Sequence, residues 1–147
     1  KIKGKLFEIG YQQELNRISL SKSPDVDVLF YGAINERRKR IIDKLVENKI
    51  KVKCLFGVYG ENRDKWIANS KLVLNMHMYD SKVFEIIRVF YLMTNSVPVI
   101  SEYEKNTKIN NNYLNGFKAS SYDGLVKNII NLVENKIARR ELGNKGS

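Results

Sequence analysis

One cysteine, one histidine and two prolines in 147 residues rule out several familiar kinds of site. A lone cysteine closes no disulfide framework, and a lone histidine cannot build a zinc cluster with it. Cys54 stands in an apolar run, KVKCLFG, and reads as a small buried hydrophobe. No apolar run approaches the roughly 20 residues that span a bilayer, and no charged-then-apolar leader opens the chain. The expected location is therefore the cytoplasm, with peripheral membrane contact left open. Acidic residues are also scarce, 16 against 26 lysines and arginines, for a net charge of +10. Such a balance suits phosphate-bearing partners, anionic membranes or nucleic acid. However, the chain has no long basic tail, and its aromatics do not interleave with its basic residues as base-stacking platforms would. Phosphate binding is the better reading, and a nucleic-acid stripe the weaker one.

What is present is an alternation of strand-like and helix-like runs. With 43% hydrophobic residues the chain can bury one core without disulfides or metals. Residues 1–24 read as a lead-in strand, LFEIGY, and a linker; residues 25–147 read as the domain. DVDVLFYG (25–32) alternates, becomes continuously apolar and ends on glycine, the pattern of a buried parallel strand. Asn35 then caps a helix with Ile41, Ile42, Leu45 and Val46 facing inward. KVKCLFG (51–57) is a second strand, GENRDKWIANS (60–70) a short helix, and KLVLNM (71–76) a third strand. The helix that follows, capped by Asp80 or Ser81, places Phe84, Ile87, Phe90, Tyr91 and Thr94 on one face. It leads into a short strand around Val99 and Ile100, with Pro98 at its entry. A brief strand at 117–119, a capping-box signal at Ser120-Ser121-Tyr122-Asp123 and a last helix over Leu125, Ile129, Leu132 and Val133 close the chain. The order predicts an α/β fold, a doubly wound Rossmann-like parallel sheet flanked by helices.

In such sheets ligands sit beyond the carboxyl ends of the strands, so polar residues there are the candidates for function. Gly32 with the basic helix start Arg37, Arg38 and Lys39 reads either as a phosphate cradle or as a plain turn. Cations in a first helical turn oppose the dipole at a cost of about 0.3–1 kcal/mol each, which suggests an anion nearby. The full phosphate-loop pattern is absent. His77, just past the third strand, reads as a general base or as a hydrogen-bonded turn residue. Glu85 and Arg88, three apart, read as a surface ion pair or, because their helix is apolar nearly all round, as a pair facing a pocket. Ser101 and Glu102 end the fourth strand.

Taken together, DVDVLFYGAINERRKRIIDKL, NRDKWIANSKLVLNMHMYD, FEIIRVFYLMTNSVPVISE and YDGLVKNIINLVENKIARRELG resemble the carboxyl-terminal domain of GT-B glycosyltransferases of the group 1-like kind. The resemblance covers about residues 6–143. It implies half of a GT-B fold that binds a nucleotide-diphosphate sugar, with the acceptor held by a separate amino-terminal domain and no cofactor or metal required. By that resemblance Gly32 lets the diphosphate approach, Arg37, Arg38 and Lys39 neutralise it, Glu85 contacts the sugar or ribose hydroxyls, and Ser101 and Glu102 line the donor crevice. From their positions, Arg88 is a further candidate for donor binding, and His77 and Glu85 are the candidate catalytic residues. The usual Glu-Ala-x-Ala-x-Gly-x-Pro-Val pattern is here Tyr91-Leu-Met-Thr-Asn-Ser-Val-Pro98-Val. Tyr91 stands where the ribose-binding glutamate usually stands, Ser96 replaces a glycine, and Glu85 is the substitute acid. Two other readings stay open: a non-catalytic nucleotide- or partner-binding module of the same fold, and a basic nucleic-acid-binding domain.

Overall fold

The computed structural model describes residues 12–78, 84–107 and 109–147. Five strands form one parallel sheet: β1 (Val26–Tyr31), β2 (Val52–Leu55), β3 (Ser70–Asn75), β4 (Val99–Glu102) and β5 (Lys118–Ser120), in the order β2-β1-β3-β4-β5. Five helices flank it: α1 (Glu36–Glu47), α2 (Gly60–Ala68), α3 (Ile86–Thr94), α4 (Leu125–Glu134) and α5 (Lys136–Gly146). The doubly wound parallel α/β architecture is as the alternation of runs implies.

The pleat sends successive side chains to opposite faces. Val28 and Phe30 of β1, with Leu72 and Leu74 of β3, pack against Ile41 and Leu45 of α1 and Leu125 and Ile129 of α4. Leu29 and Val73 point the other way, onto Ile67 of α2 and Val89, Leu92 and Met93 of α3. The central strands are apolar on both faces because both faces are covered.

Local signals account for several element ends. The Asn35 side chain accepts the backbone N–H of Arg38, as expected of an N-cap. Helix α3 ends in a Schellman turn: the N–H of Ser96 bonds Met93 O at 2.9 Å and that of Val97 bonds Leu92 O at 3.0 Å. This requires a left-handed residue, and Ser96 has φ +55°, a conformation that glycine adopts without strain.

Other expectations are corrected. Helix α4 begins at Gly124 with no side-chain cap; Ser121 Oγ accepts the Gly124 N–H instead, and the Ser120 hydroxyl donates to Ser121 O. Val46 is 56% exposed rather than inward, since α1 turns only Ile41 and Leu45 fully to the sheet. In α3 the buried side is Val89, Leu92, Met93 and Thr94, and Ile87 is 74% exposed. Cys54 is half-buried, and burial pushes its thiol pKa up. The lead-in strand LFEIGY and the caps assigned to Asp80 or Ser81 lie outside the described residues. The described part of the first 24 residues packs onto the body: Ile18 joins the second core cluster, and Ser21 N–H bonds Ala68 O at 2.8 Å.

Candidate functional site

The chain leaves β1 for β2 on one side and returns to β3 on the other, so the loops beyond these strands diverge and open a crevice. A cleft of about 850 Å³ lies there, lined by Tyr31, Gly32 and Ala33 after β1 and by the loop 55–59 after β2. The start of α3 and Leu15 and Arg17 from the amino-terminal segment complete it. Its size suits a ligand of nucleotide dimensions. A second hollow of about 440 Å³, between α1 and α4, lies away from this edge.

At the head of the cleft stand Gly32, Glu85 and Arg88, with the buried Arg38 directly behind them. Gly32 has φ +134°, a conformation that excludes other residues without strain, and a Cβ there would lie 3.5 Å from Arg88 Nη2 and 3.6 Å from Arg38 Nη1. Arg38 is 3% exposed. It donates to the carbonyls of Ala33 at 2.8 Å, Met76 at 2.6 Å and His77 at 3.3 Å, and to Glu85 at 3.3 Å. Glu85 also pairs with Arg88 at 2.8 Å, so both of its oxygens face guanidiniums. The ion pair expected from spacing alone is present, and it faces the cleft.

Behind this head runs a buried polar row. Arg88 Nη1 donates to Asn75 Oδ1, Asn75 Nδ2 to Ser101 Oγ at 3.0 Å, and Ser101 Oγ to Glu102 O at 3.0 Å. Glu102, fully buried, takes both terminal nitrogens of Arg37 and the N–H of His77 at 2.9 Å. Ser101, Glu102, Arg37 and His77 therefore brace the site from behind and are not among the residues lining the cleft. The His77 imidazole is 1% exposed. Lys39 does not join the cluster at all, because its position on α1 turns it outward to Asp43.

Burial pushes the Glu102 carboxyl up, but Arg37 and the His77 N–H outweigh it and hold the pKa below the ordinary 4.5. A carboxyl whose pKa is lower folded than unfolded adds its stability in full above about pH 4.5 and loses it as the pH falls through the folded value. The melting temperature is expected to fall on acidification below that pH, and Glu102→Gln to show a shallower acid limb. Thermal melts of both proteins across the range check it; equal slopes would remove Glu102 as the cause.

Several lining residues carry no strong sequence signal. Tyr31 is the last residue of β1, and burial pushes its phenol up to about 12 despite the nearby Arg88 and Arg63, so at neutral pH it is a donor. Arg63 of α2 lies over the rings of Tyr31 and Tyr91. Asp64 binds Tyr91 Oη at 2.8 Å and Arg17 Nε at 3.1 Å. Tyr59 stands at the rim, 76% exposed beside Phe56 at 78%. The available hint was Arg63 itself, an arginine in the first helical turn after a strand that ends toward glycine.

No family model matches the chain. Among curated proteins it is similar to three from Acanthamoeba polyphaga mimivirus, each named as an uncharacterized protein. L138 is 33% identical over 90 residues, which is 60% of this chain and 10% of that protein. L140 is 27% identical over 140 residues, 89% of this chain and 46% of that protein. L137 is 29% identical over 92 residues, 61% of this chain and 13% of that protein. The chain thus spans less than half the length of these relatives. Among the described residues no helix is long and apolar enough to cross a membrane. Among solved structures the chain is similar to the glycosyltransferase TarM, with a TM-score of 0.55 and 14% identity over 89% of this chain and 33% of TarM. The chain therefore has a glycosyltransferase-like fold.

Proposed function

We propose that this chain is the donor-binding domain of a cytoplasmic glycosyltransferase, holding a nucleotide-diphosphate sugar for transfer to an acceptor bound by an amino-terminal domain. The observation that carries this reading is the charge imbalance of the cleft. Among the described residues four guanidiniums, of Arg17, Arg38, Arg63 and Arg88, stand in or against it with two carboxylates, Asp64 and Glu85. A doubly negative diphosphate would balance that excess, with Gly32 allowing close backbone approach and Arg88 a charge-assisted contact. The protein's contribution to transfer is then positioning and stabilisation of the departing nucleotide diphosphate by fixed cations, without a metal or other cofactor.

Calorimetric titration with UDP, GDP and ADP at two salt concentrations tests the reading. Arg88→Ala is expected to weaken the bound nucleotide about tenfold, the loss of one charge-assisted contact of roughly 1.5 kcal/mol. Unchanged affinity in Arg88→Ala, or no nucleotide binding by the wild type, would sink it. Steeply salt-dependent binding of an oligonucleotide in place of nucleotides would favour a nucleic-acid interface instead.

A second reading, a non-catalytic nucleotide-binding module, draws on the buried imidazole of His77 and on the full engagement of Glu85 by Arg38 and Arg88. Donor turnover by the parent protein separates the two: loss of turnover in Glu85→Gln with the nucleotide still bound supports catalysis, and a protein that binds donor without consuming it supports the module.

A further inference from the structure

The end of the cleft remote from Gly32 is built as carefully as its head. A ladder of alternating guanidiniums and phenol rings follows its wall. Arg88 lies 4.7 Å from the centroid of Tyr31, Arg63 lies 5.7 Å from Tyr31 and 4.9 Å from Tyr91, and Arg17 lies 5.7 Å from Tyr91. Arg17 is the last rung. Its Nε donates to Asp64 Oδ2 at 3.1 Å and to Tyr91 Oη at 3.0 Å, so the guanidinium is held from one side. Among the described residues neither Nη1 nor Nη2 of Arg17 makes a hydrogen bond, and half of the side chain is exposed where it lines the cleft.

The backbone beneath Arg17 is fixed as well. Asn95, 3% exposed, accepts the N–H groups of Arg17 at 2.8 Å and Ile18 at 2.9 Å through Oδ1. Its Nδ2 donates to Leu15 O and Tyr91 O, both at 2.9 Å. One buried amide thus clasps residues 15–18 to the end of α3. A planar guanidinium anchored at Nε presents its two terminal nitrogens as a rigid fork, which matches two adjacent acceptors. Phe56 and Tyr59, both exposed on the same cleft, offer faces on which a flat ring can stack.

Resting on the nucleotide reading above, we infer that Arg17 is the base-selecting residue of this cleft and that Asn95 positions it. The favoured base is one with two adjacent acceptors: guanine, through O6 and N7, or cytosine, through O2 and N3. Adenine sets its amino donor beside N1 and N7, and uracil sets N3–H between its carbonyls, so neither satisfies the fork.

The test is calorimetric titration of GDP, CDP, ADP, UDP and inorganic pyrophosphate into the wild-type chain, Arg17→Ala, Arg17→Lys and Asn95→Ala. The wild type is expected to favour GDP or CDP over ADP and UDP by about tenfold or more. Both Arg17 variants are expected to lose the preference, lysine included because a point charge is not a fork, while pyrophosphate weakens far less than the favoured nucleotide. Asn95→Ala is expected to lose the preference too, and to add nothing when combined with Arg17→Ala. A merely structural Asn95 would lower the melting temperature and leave the preference alone. Equal affinity for all four bases in the wild type, or a preference that survives in Arg17→Ala, overturns the assignment of Arg17 only. A wild type that binds neither nucleotides nor pyrophosphate overturns the nucleotide reading itself.

Discussion

Arg38→Met is expected to cost about 3 kcal/mol of stability and to abolish binding in the cleft. The guanidinium joins three segments: the loop after β1 through Ala33 O, the end of β3 through Met76 O and His77 O, and the entry to α3 through Glu85. It also lies 5.2 Å from the Phe30 ring centroid, so its charge is covered from below. Methionine replaces the volume and none of the donors. Each buried carbonyl left without a partner costs about 1–3 kcal/mol where water cannot enter, and water reaching the cleft side recovers part of that. For a chain of this size the loss corresponds to a drop in melting temperature of about 10 °C. Lys39→Met, one residue on, removes only an exposed pair with Asp43 and is expected to leave the unfolding midpoint essentially where it is. Urea unfolding of the two variants side by side is the check. Equal midpoints would mean that Arg38 braces nothing.

Gly143→Ala is expected to be almost as damaging, about 2–3 kcal/mol, though Gly143 does not line the cleft. A Cβ on Gly143 would sit 2.3 Å from the carbonyl oxygen of Ser96 and 3.2 Å from its carbon. Both are backbone atoms, in a turn already committed to a left-handed residue and closed by two hydrogen bonds. To admit a methyl group, α5 must lift away from the end of α3, and overpacking of that kind carries a cost of this order. Gly116→Ala is the control. Its nearest clash, 2.2 Å, is with Met93 Cε, the end of a flexible side chain that can swing aside, so a loss of about 1 kcal/mol or less is expected. Thermal melts that ranked Gly116→Ala below Gly143→Ala would contradict the packing described.

The order and type of the elements were legible in the chain because their signals are local. The apolar run 25–32 needs no partner to read as a buried strand, and Asn35 caps α1 with its own side chain. Gly32, Arg38, Glu85 and Arg88 were picked out as candidates by their position at element ends, and the structure brings these four together. The trio Arg37, Arg38 and Lys39 shows where such reading stops. Three successive residues on a helix point about 100° apart, so at most one can enter the cleft head. Periodicity gives the angle between them and not the zero of the rotation. Packing of Ile41 and Leu45 against the sheet set that zero, sending Arg38 inward, Arg37 across to Glu102 and Lys39 out to Asp43.

The same distinction separates the two ends of the cleft. Its head is made from residues just past β1 and at the starts of α1 and α3, the edge where chain order and the parallel-sheet rule open a crevice. Its far end joins Arg17, Arg63, Asp64, Tyr91 and Asn95, which stand up to 78 residues apart in sequence and meet through the Asn95 clasp and the docking of α2 beside α3. By itself the sequence determined a parallel α/β sheet with a cationic strand-end site, because hydrophobic period, capping and glycine conformation act over a few residues. Which arginines face the cleft, which only brace its wall, and that the amino-terminal segment supplies one of them were decided by tertiary structure. Those choices depend on helix rotation and on contacts between residues far apart in the chain, and no local pattern encodes either.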